Sequence, residues 1–230
     1  MNERKELQRA RMLRYFLDAA SEVIEEEGLA HMTIRKVADR AGYTASTAYN
    51  YFKDLSHLKF FASMRFTSEY ISELPDYMAL GENTVEKWLY SWECFCKHSF
   101  EQPDIYSVIF MDNLGTSTQQ LFDDYYAIHE NDLIGFPEQI QSILMEHDFS
   151  KRSALYIQSA VEGGFIKQEN VDILADMTLM IWKGMMNTYM NHRRSYTKDE
   201  AIKRTLHLVT ECVMNVVEPS RRKEIKFDRY

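Results

Sequence analysis

Residues 33–54, TIRKVADRAGYTASTAYNYFKD, contain two short runs of helical periodicity on either side of a single glycine, Gly42. Thr33 and Thr44 are each placed to cap one of the two helices. The residues that we expect to face inward are Ile34, Val37, Ala38, Ala41, Ala48 and Phe52. Gly42 separates the helices at a point where a left-handed turn is least costly for glycine. Two short helices joined in this way predict a helix-turn-helix, whose second helix enters the major groove of DNA.

The second of these helices leaves small and polar side chains on its outer face. Hydroxyl groups that can donate to phosphate oxygens belong to Thr33, Thr44, Thr47, Tyr49 and Tyr51. Asn50 carries the donor and acceptor pair that reads a base edge, Ala45 can pack on a thymine methyl group, and Ser46 lies beside them. On spacing alone a purely structural helix pair fits equally well, because threonines cap helices in any protein.

Positive charge is concentrated in the N-terminal part of the chain. The net charge is −8, but residues 1–70 hold 11 Lys and Arg against 10 Asp and Glu, whereas residues 71–230 hold 16 against 25. Within residues 33–65 the acidic residues are only Asp39 and Asp54. The basic residues there are Arg35, Lys36, Arg40, Lys53, Lys59 and Arg65. Such clustering on a small module is the electrostatic signature of phosphate binding.

The composition is that of an ordered helical protein, with 45% apolar residues, eight glycines and four prolines. Cys94, Cys96 and Cys212 are too few for a disulfide framework. No run reaches the roughly 18 apolar residues that a spanning helix needs, and the N-terminus lacks an apolar signal segment. We therefore expect a cytoplasmic all-α protein that does not engage a membrane.

The N-terminal quarter of the sequence resembles the DNA-binding domain of the TetR family of bacterial transcriptional regulators. The coinciding positions are Gly28, Thr33, Ile34, Val37, Ala38, Ala41, Gly42, Thr44, Thr47, Tyr49, Tyr51, Phe52, Lys53 and Leu58. The resemblance implies an all-helical homodimer that represses genes from an inverted-repeat operator in double-stranded DNA until a small molecule binds. By position it also implies DNA contacts from Thr33, Arg35, Tyr43, Ala45, Ser46, Thr47, Tyr49, Asn50, Tyr51 and Lys53.

The expected organisation is a three-helix helix-turn-helix head followed by a larger helical domain. The predicted segments are a DNA-binding head over 1–54, a connecting helix over 55–75, a ligand-binding and dimerisation domain over 76–218, and a polar tail over 219–230. Asp54 caps the connecting helix, which we expect to end at Pro75. Further helices are predicted from about 84 to near Pro103 and over 115–131, 137–147 and 150–163, while YSVIFM is ambiguous.

Two C-terminal helices are expected to form the dimer interface. Residues 171–193 are apolar on more than one face, which requires burial nearly all round. The next helix carries a stripe of Ile202, Leu206, Val209, Val213 and Val216. With their two-fold mates these helices would form a four-helix bundle, in which Gly184 either marks a close crossing or is simply tolerated.

Aromatic residues and methionines in the larger domain suit a pocket for an apolar or aromatic small-molecule effector. The candidate ligand-binding residues are Trp88, Trp92, Tyr106, Phe110, Tyr125, Tyr126, Tyr156, Met180 and Trp182. Each of them is also consistent with an ordinary core position. The acidic balance of this part favours a neutral or cationic ligand, and one buried arginine would reverse that preference.

Two alternatives remain open at this stage. The segment ECFCKH places Cys94, Cys96 and His98 close together, and thiolates with imidazole suit zinc, copper or a redox switch. Helix geometry puts Cys94 and His98 on one face and Cys96 on another. The other alternative is an architectural DNA-binding protein without a ligand. No nucleophile, phosphate-loop or zinc-protease motif is present, so we predict no enzyme and no cofactor.

Overall fold

A computed structural model describes residues 3–115, 118–126 and 149–227 of the chain. Its α-helices are α1 (Glu3–Glu27), α2 (Ile34–Arg40), α3 (Ala45–Ala48), α4 (Leu55–Arg65), α5 (Ser68–Ala79), α6 (Thr84–Glu101), α7 (Pro103–Phe110), α8 (Thr118–Tyr126), α9 (Phe149–Glu162), α10 (Val171–Met190) and α11 (Lys198–Val216). The predicted all-α fold is confirmed, and YSVIFM falls largely within α7. The predicted helix over 137–147 lies outside the described residues. Each helix in the described ranges is too short or too polar to cross a membrane.

The chain divides into two compact units, Met1–Ser68 with Asp104–Ile134 and Glu69–Pro103 with Gly135–Tyr230. In the first unit, the buried ring of Phe16 on α1 contacts three aromatic rings of the helix-turn-helix. Its centroid lies 5.6 Å from Tyr43, 5.6 Å from Tyr51 and 6.0 Å from Phe52. These contacts fix α2 and α3 against α1, and Gly28, with a φ of 84°, follows the end of α1.

The segment predicted as a single helix from Asp54 to Pro75 is divided into α4 and α5. The division falls at Phe66 and Thr67, where the buried Thr67 hydroxyl donates to the Met64 carbonyl at 2.7 Å. That carbonyl is the acceptor that the next helical amide would need, so a local side-chain hydrogen bond ends α4. Pro75 lies inside α5 and does not end it.

Helix α6 is the central element of the second unit, and 14 of its 18 residues are buried. It packs against α9 and α11, while α10 packs against the same two helices. Asn83 caps α6 by accepting a hydrogen bond from the Glu86 amide at 3.0 Å. The second unit is therefore a helical bundle organised around α6.

The described part of the C-terminal tail docks on the start of α6, a contact that the sequence did not predict. The carboxylate of Glu86, which is buried, accepts hydrogen bonds from the Lys226 amide at 2.6 Å and the Glu82 amide at 2.7 Å. The ring of Phe227 lies 5.0 Å from that of Tyr90. These contacts tie residues 226 and 227 to α6.

Candidate functional site

The helix-turn-helix forms as the sequence predicts, through two threonine caps and one glycine turn. The Thr33 hydroxyl accepts from the Lys36 amide at 3.2 Å, and the Thr44 hydroxyl accepts from the Thr47 amide at 3.3 Å. Between them Gly42 adopts a φ of 78°. The C-terminus of α2 is closed by a hydrogen bond of 2.9 Å from the Tyr43 amide to the Ala38 carbonyl.

Most of the predicted DNA-binding side chains lie on the exposed surface of this motif. The exposed residues are Thr33, Arg35, Tyr43, Thr44, Ser46, Tyr49, Asn50 and Lys53. Tyr49 is the most prominent aromatic residue among them, with 58% of its surface accessible. Because α3 is only four residues long, Tyr49 and Asn50 follow its C-terminus in a turn and not in continued α-helix.

Ala45, Thr47 and Tyr51 are half-buried, and two of them also support the fold. The hydroxyl oxygens of Thr44 and Thr47 lie 3.0 Å apart, which holds the first turn of α3. The Tyr51 ring packs on Phe16, and the guanidinium of Arg9 lies 5.9 Å from the centroid of the Tyr51 ring. Substitution of Tyr51 would therefore alter the packing of the motif as well as its surface.

Acidic residues of α1 neutralise part of the predicted basic cluster. The pairs are Lys36 with Glu27 at 2.5 Å, Arg40 with Glu26 at 2.6 Å and with Glu22 at 3.6 Å, and Arg65 with Asp18 at 2.5 Å. The Glu26 hydrogen bond raises the pKa of Arg40, and the pKa of Glu26 is lowered in turn. The six basic residues therefore overstate the positive charge of this surface. The four-residue spacing of Asp18, Glu22 and Glu26 was the available sequence signal.

The second unit contains a small cavity between α5, α6 and α9. Its lining residues are Tyr70, Trp88, Ser91, Trp92, Phe95, Arg152, Ser153 and Tyr156. Its volume is about 20 Å³, which is room for a water-sized group. The walls are mainly aromatic, and the polar groups come from α9 and from Ser91.

The predicted ligand-binding residues separate into several groups. Trp88, Trp92 and Tyr156 line the cavity, whereas Tyr106, Phe110 and Tyr125 belong to the first unit. Trp182 is buried beside the lining, with its indole N–H donating to the Ser99 hydroxyl at 3.0 Å and its ring 4.9 Å from Phe95. The side chain of Tyr126 lies outside the described residues.

Met180 does not lie in the apolar interior where the sequence analysis placed it. It is 70% exposed on α10, next to other exposed apolar residues of that helix. The apolar character of α10 on several faces could not show which face packs within the chain.

The cavity holds polar groups that sequence reasoning missed. Arg152 is 6% exposed, so its cationic side chain is buried in an aromatic setting. The hydroxyls of Ser153 and Tyr156 are buried without a hydrogen-bond partner among the described residues. Burial raises the pKa of Tyr156, and the charge of Arg152 opposes that shift. Since buried polar groups are nearly always satisfied, these hydroxyls indicate a place for an ordered water molecule or a polar ligand atom.

A second group of reactive side chains lies between α5 and α6. Cys94, His98 and Glu73 bring a sulfur, a ring nitrogen and a carboxylate oxygen within 4.8 Å of one another. Cys96 is not part of this group, as the helix geometry of ECFCKH predicted. Burial, followed by the charge of Glu73, raises the pKa of the Cys94 thiol to about 12. The partner from α5 could not be foreseen from the segment ECFCKH alone.

Comparison with known proteins identifies the motif and the fold. Residues 16–57 match the sequence profile described as bacterial regulatory proteins, tetR family. No curated protein sequence matches the chain. RolR in complex with resorcinol is similar over 95% of this chain and 94% of its own, with a TM-score of 0.61 and 13% identity.

Two regulators named FadR have similar structures. The TetR-family repressor from Thermus thermophilus, in complex with lauroyl-CoA, covers 87% of this chain and 94% of its own, with a TM-score of 0.58 and 13% identity. The protein from Bacillus halodurans covers 86% and 93%, with a TM-score of 0.54 and 15% identity. The predicted resemblance to the TetR family is confirmed, and the fold is that of its transcriptional regulators.

Ser153 of the cavity wall and Ser99, the partner of Trp182, provide a matched test of whether a buried hydroxyl has a partner. Ser99→Ala removes the acceptor of the Trp182 indole, so we expect the free energy of unfolding to fall by about 1–3 kcal/mol. Ser153→Ala removes a hydroxyl that lacks a partner, and we expect the free energy of unfolding to stay unchanged or to rise by about 1 kcal/mol. Urea denaturation followed by circular dichroism measures both. Equal losses in the two variants would show that the Ser153 hydroxyl is already satisfied.

Proposed function

We propose that this chain, with the fold of a TetR-family transcriptional regulator, is a homodimeric repressor that a small molecule releases from an inverted-repeat operator. The observation that carries the proposal is the exposed surface of the helix-turn-helix, where Ser46, Tyr49 and Asn50 face outward from α3 and the turn after it. Regulators of this family are in general DNA-binding proteins without enzymatic activity, and we extend that to this chain.

In the proposed complex, some exposed side chains contact phosphates and position the protein on the DNA, and another contacts a base and reads the sequence. Tyr49 and Lys53 contact phosphates, which set the register of α3 on the duplex without carrying sequence information. Asn50 contacts a base edge in the major groove, where its amide offers a donor and an acceptor together. Arg35, exposed on α2, adds a phosphate contact.

The proposed dimer interface is the exposed apolar stripe of α10. Ile173, Met177 and Met180 are 54%, 42% and 70% exposed and recur at spacings of four and three residues. Gly184 continues the stripe, and a Cβ built on it meets no atom of the described chain within 4 Å. A helix face of this kind is costly in water and favours burial against a symmetry-related copy.

The proposed effector combines an apolar or aromatic body with an anionic group. The cavity supplies aromatic walls for the body. The buried guanidinium of Arg152, which already interacts within the chain, exchanges part of that interaction for the anionic group of the ligand. This reverses the preference that the acidic composition suggested. Resorcinol in RolR and lauroyl-CoA in Thermus thermophilus FadR are an aromatic ligand and an acyl ligand on the same fold, which supports the apolar or aromatic body of the effector.

Release follows a shift between conformations in this proposal. Tyr70 of the cavity wall lies on α5, and only two residues separate the end of α4 from the start of α5. A ligand that changes the position of α5 therefore acts close in sequence to the helix that follows the DNA-binding motif. Two recognition helices bind together only when they match half-sites about 34–36 Å apart, so a small change in spacing lowers affinity.

For DNA reading, we expect Asn50→Ala to relax the preferred base at one position by about 1–3 kcal/mol, because a bidentate base contact is lost. Lys53→Ala should instead weaken binding to all duplexes and lower the salt slope by about one unit. Selection from random duplexes followed by sequencing, with salt titrations, measures both. Lys87→Ala, an exposed lysine of α6, is the control. An unchanged base preference in Asn50→Ala would remove its reading role.

For the effector, we expect fatty and aromatic carboxylates to raise Tm and to weaken operator binding, whereas their primary amides do neither. Arg152→Met should abolish the response, because it removes the buried positive charge. Lys151→Met, an exposed neighbour on α9, is the matched control and should respond like the wild type. Equal responses to acids and amides would exclude an anion site. Operator binding insensitive to every compound would support the architectural alternative.

For the dimer, Met180→Asp should weaken association by about a hundredfold, because each interface would bury two copies of the new charge. Light scattering over a concentration series should show half the wild-type mass at low concentration. Leu80→Asp changes an exposed leucine away from α10 and should remain dimeric. A dimer unaffected by Met180→Asp would place the interface elsewhere.

A further inference from the structure

We propose that Glu73, Cys94 and His98 form a binding site for a transition-metal ion of the zinc class. One ligand atom from each residue lies within 4.8 Å of the other two. Cys94 and His98 are one turn apart on α6, and Glu73 comes from α5. The site is distinct from the ECFCKH grouping, since Cys96 is replaced by a carboxylate from another helix.

The donor set determines the class of metal. A thiolate, an imidazole and a carboxylate are the ligands that zinc takes in proteins, whereas magnesium and calcium prefer oxygen alone. Three protein ligands leave a fourth tetrahedral position for water or a small ligand. Cys94 and His98 are buried and Glu73 is partly exposed, so the ion would enter from the Glu73 side.

The present contacts show what the ion would replace. The Glu73 carboxylate accepts from the Lys97 ammonium at 2.6 Å and lies 3.0 Å from Nε2 of His98. The Cys94 thiol donates a hydrogen bond to the Tyr70 carbonyl, with 3.8 Å between sulfur and oxygen. When a divalent ion binds, the thiol gives its proton to solvent and Glu73 exchanges the ammonium for the ion. Nε2 of His98 releases the proton that faces Glu73 while Nδ1 takes one up from solvent, so that Nε2 offers its lone pair to the ion.

Charge balance favours replacement of the Lys97 ammonium by a divalent ion at this partly buried site. The thiolate and the carboxylate each carry one negative charge, so together they neutralise a divalent cation without leaving a buried net charge. The ammonium of Lys97 also lies 5.7 Å from the centre of the Tyr77 ring, which gives it a second interaction after it leaves Glu73. Most of α6 is buried, and Tyr70 of α5 contacts Phe95 of α6 with ring centroids 5.7 Å apart, which holds the donors in place.

The site adjoins the cavity but uses different side chains. Trp92 and Phe95, which line the cavity, flank Cys94 in sequence, and Tyr70 lies one turn before Glu73 on α5. Metal binding is therefore expected whether or not the chain binds an operator or an organic effector.

Titration of the full-length protein with cobalt(II) alone tests the site. We expect one equivalent to produce a near-ultraviolet thiolate-to-cobalt charge-transfer band with visible bands of tetrahedral intensity, and zinc to displace it. Cys94→Ser should lose the charge-transfer band, while Cys212→Ser, a half-buried cysteine outside the cluster, should keep it. A band of equal strength in Cys94→Ser, or no band in the wild type, would overturn the proposal.

Lys97→Met separates this site from adventitious binding. It removes the ammonium that competes for Glu73, so we expect cobalt to bind several-fold more tightly, and unchanged affinity would exclude Glu73 as a ligand. If Cys94→Ser does not fold, X-ray absorption at the zinc edge of the zinc-loaded wild-type protein tests whether sulfur binds the ion. One sulfur scatterer at about 2.3 Å supports the site, and a shell without sulfur overturns it.

Discussion

The burial of α6 is the constraint on which the second unit depends. A helix with 14 of 18 residues buried must be surrounded by other elements, and α9, α11 and the C-terminal tail supply much of that cover. Several of the buried residues are polar, so each needs a hydrogen-bond partner, and some partners come from other elements. Glu86 finds two backbone amides, His98 finds Glu73, and Ser99 accepts from Trp182. Where a buried polar group has an exchangeable partner or none, it is able to bind a ligand or an ion.

The cavity and the Glu73 cluster lie along the same helix because both involve buried residues of α6. Trp88 and Trp92 face α9 at the cavity, with space beside Ser153 and Tyr156. One turn further, Cys94 and His98 face α5 and gather a carboxylate. Unsatisfied or exchangeable polar groups reduce stability relative to an apolar core, and such a cost commonly accompanies a binding function.

Local chemistry made the helix-turn-helix predictable from sequence. Thr33, Gly42 and Thr44 act through hydrogen bonds and backbone angles within a few residues, so their positions alone indicate the turn. The break at Thr67 escaped prediction, although the interaction is also local, because Pro75 was a stronger signal for a helix end. Arg152 escaped because an arginine in a helix normally faces water, and only the packing of α9 on α6 buries it. Pairing of the cations with α1 required knowledge of which helices meet.

The small size of the cavity bears directly on regulation. A ligand with equal affinity for two conformations cannot shift their equilibrium, however tightly it binds. Pockets that hold organic ligands usually measure about 300–1,000 Å³, whereas this conformation offers about 20 Å³. An effector of the proposed class therefore enters this cavity only when α5, α6, α9 or their side chains are displaced. Its affinity must differ strongly between the closed and the opened conformation, and that difference supplies the free energy that a ligand-responsive repressor requires.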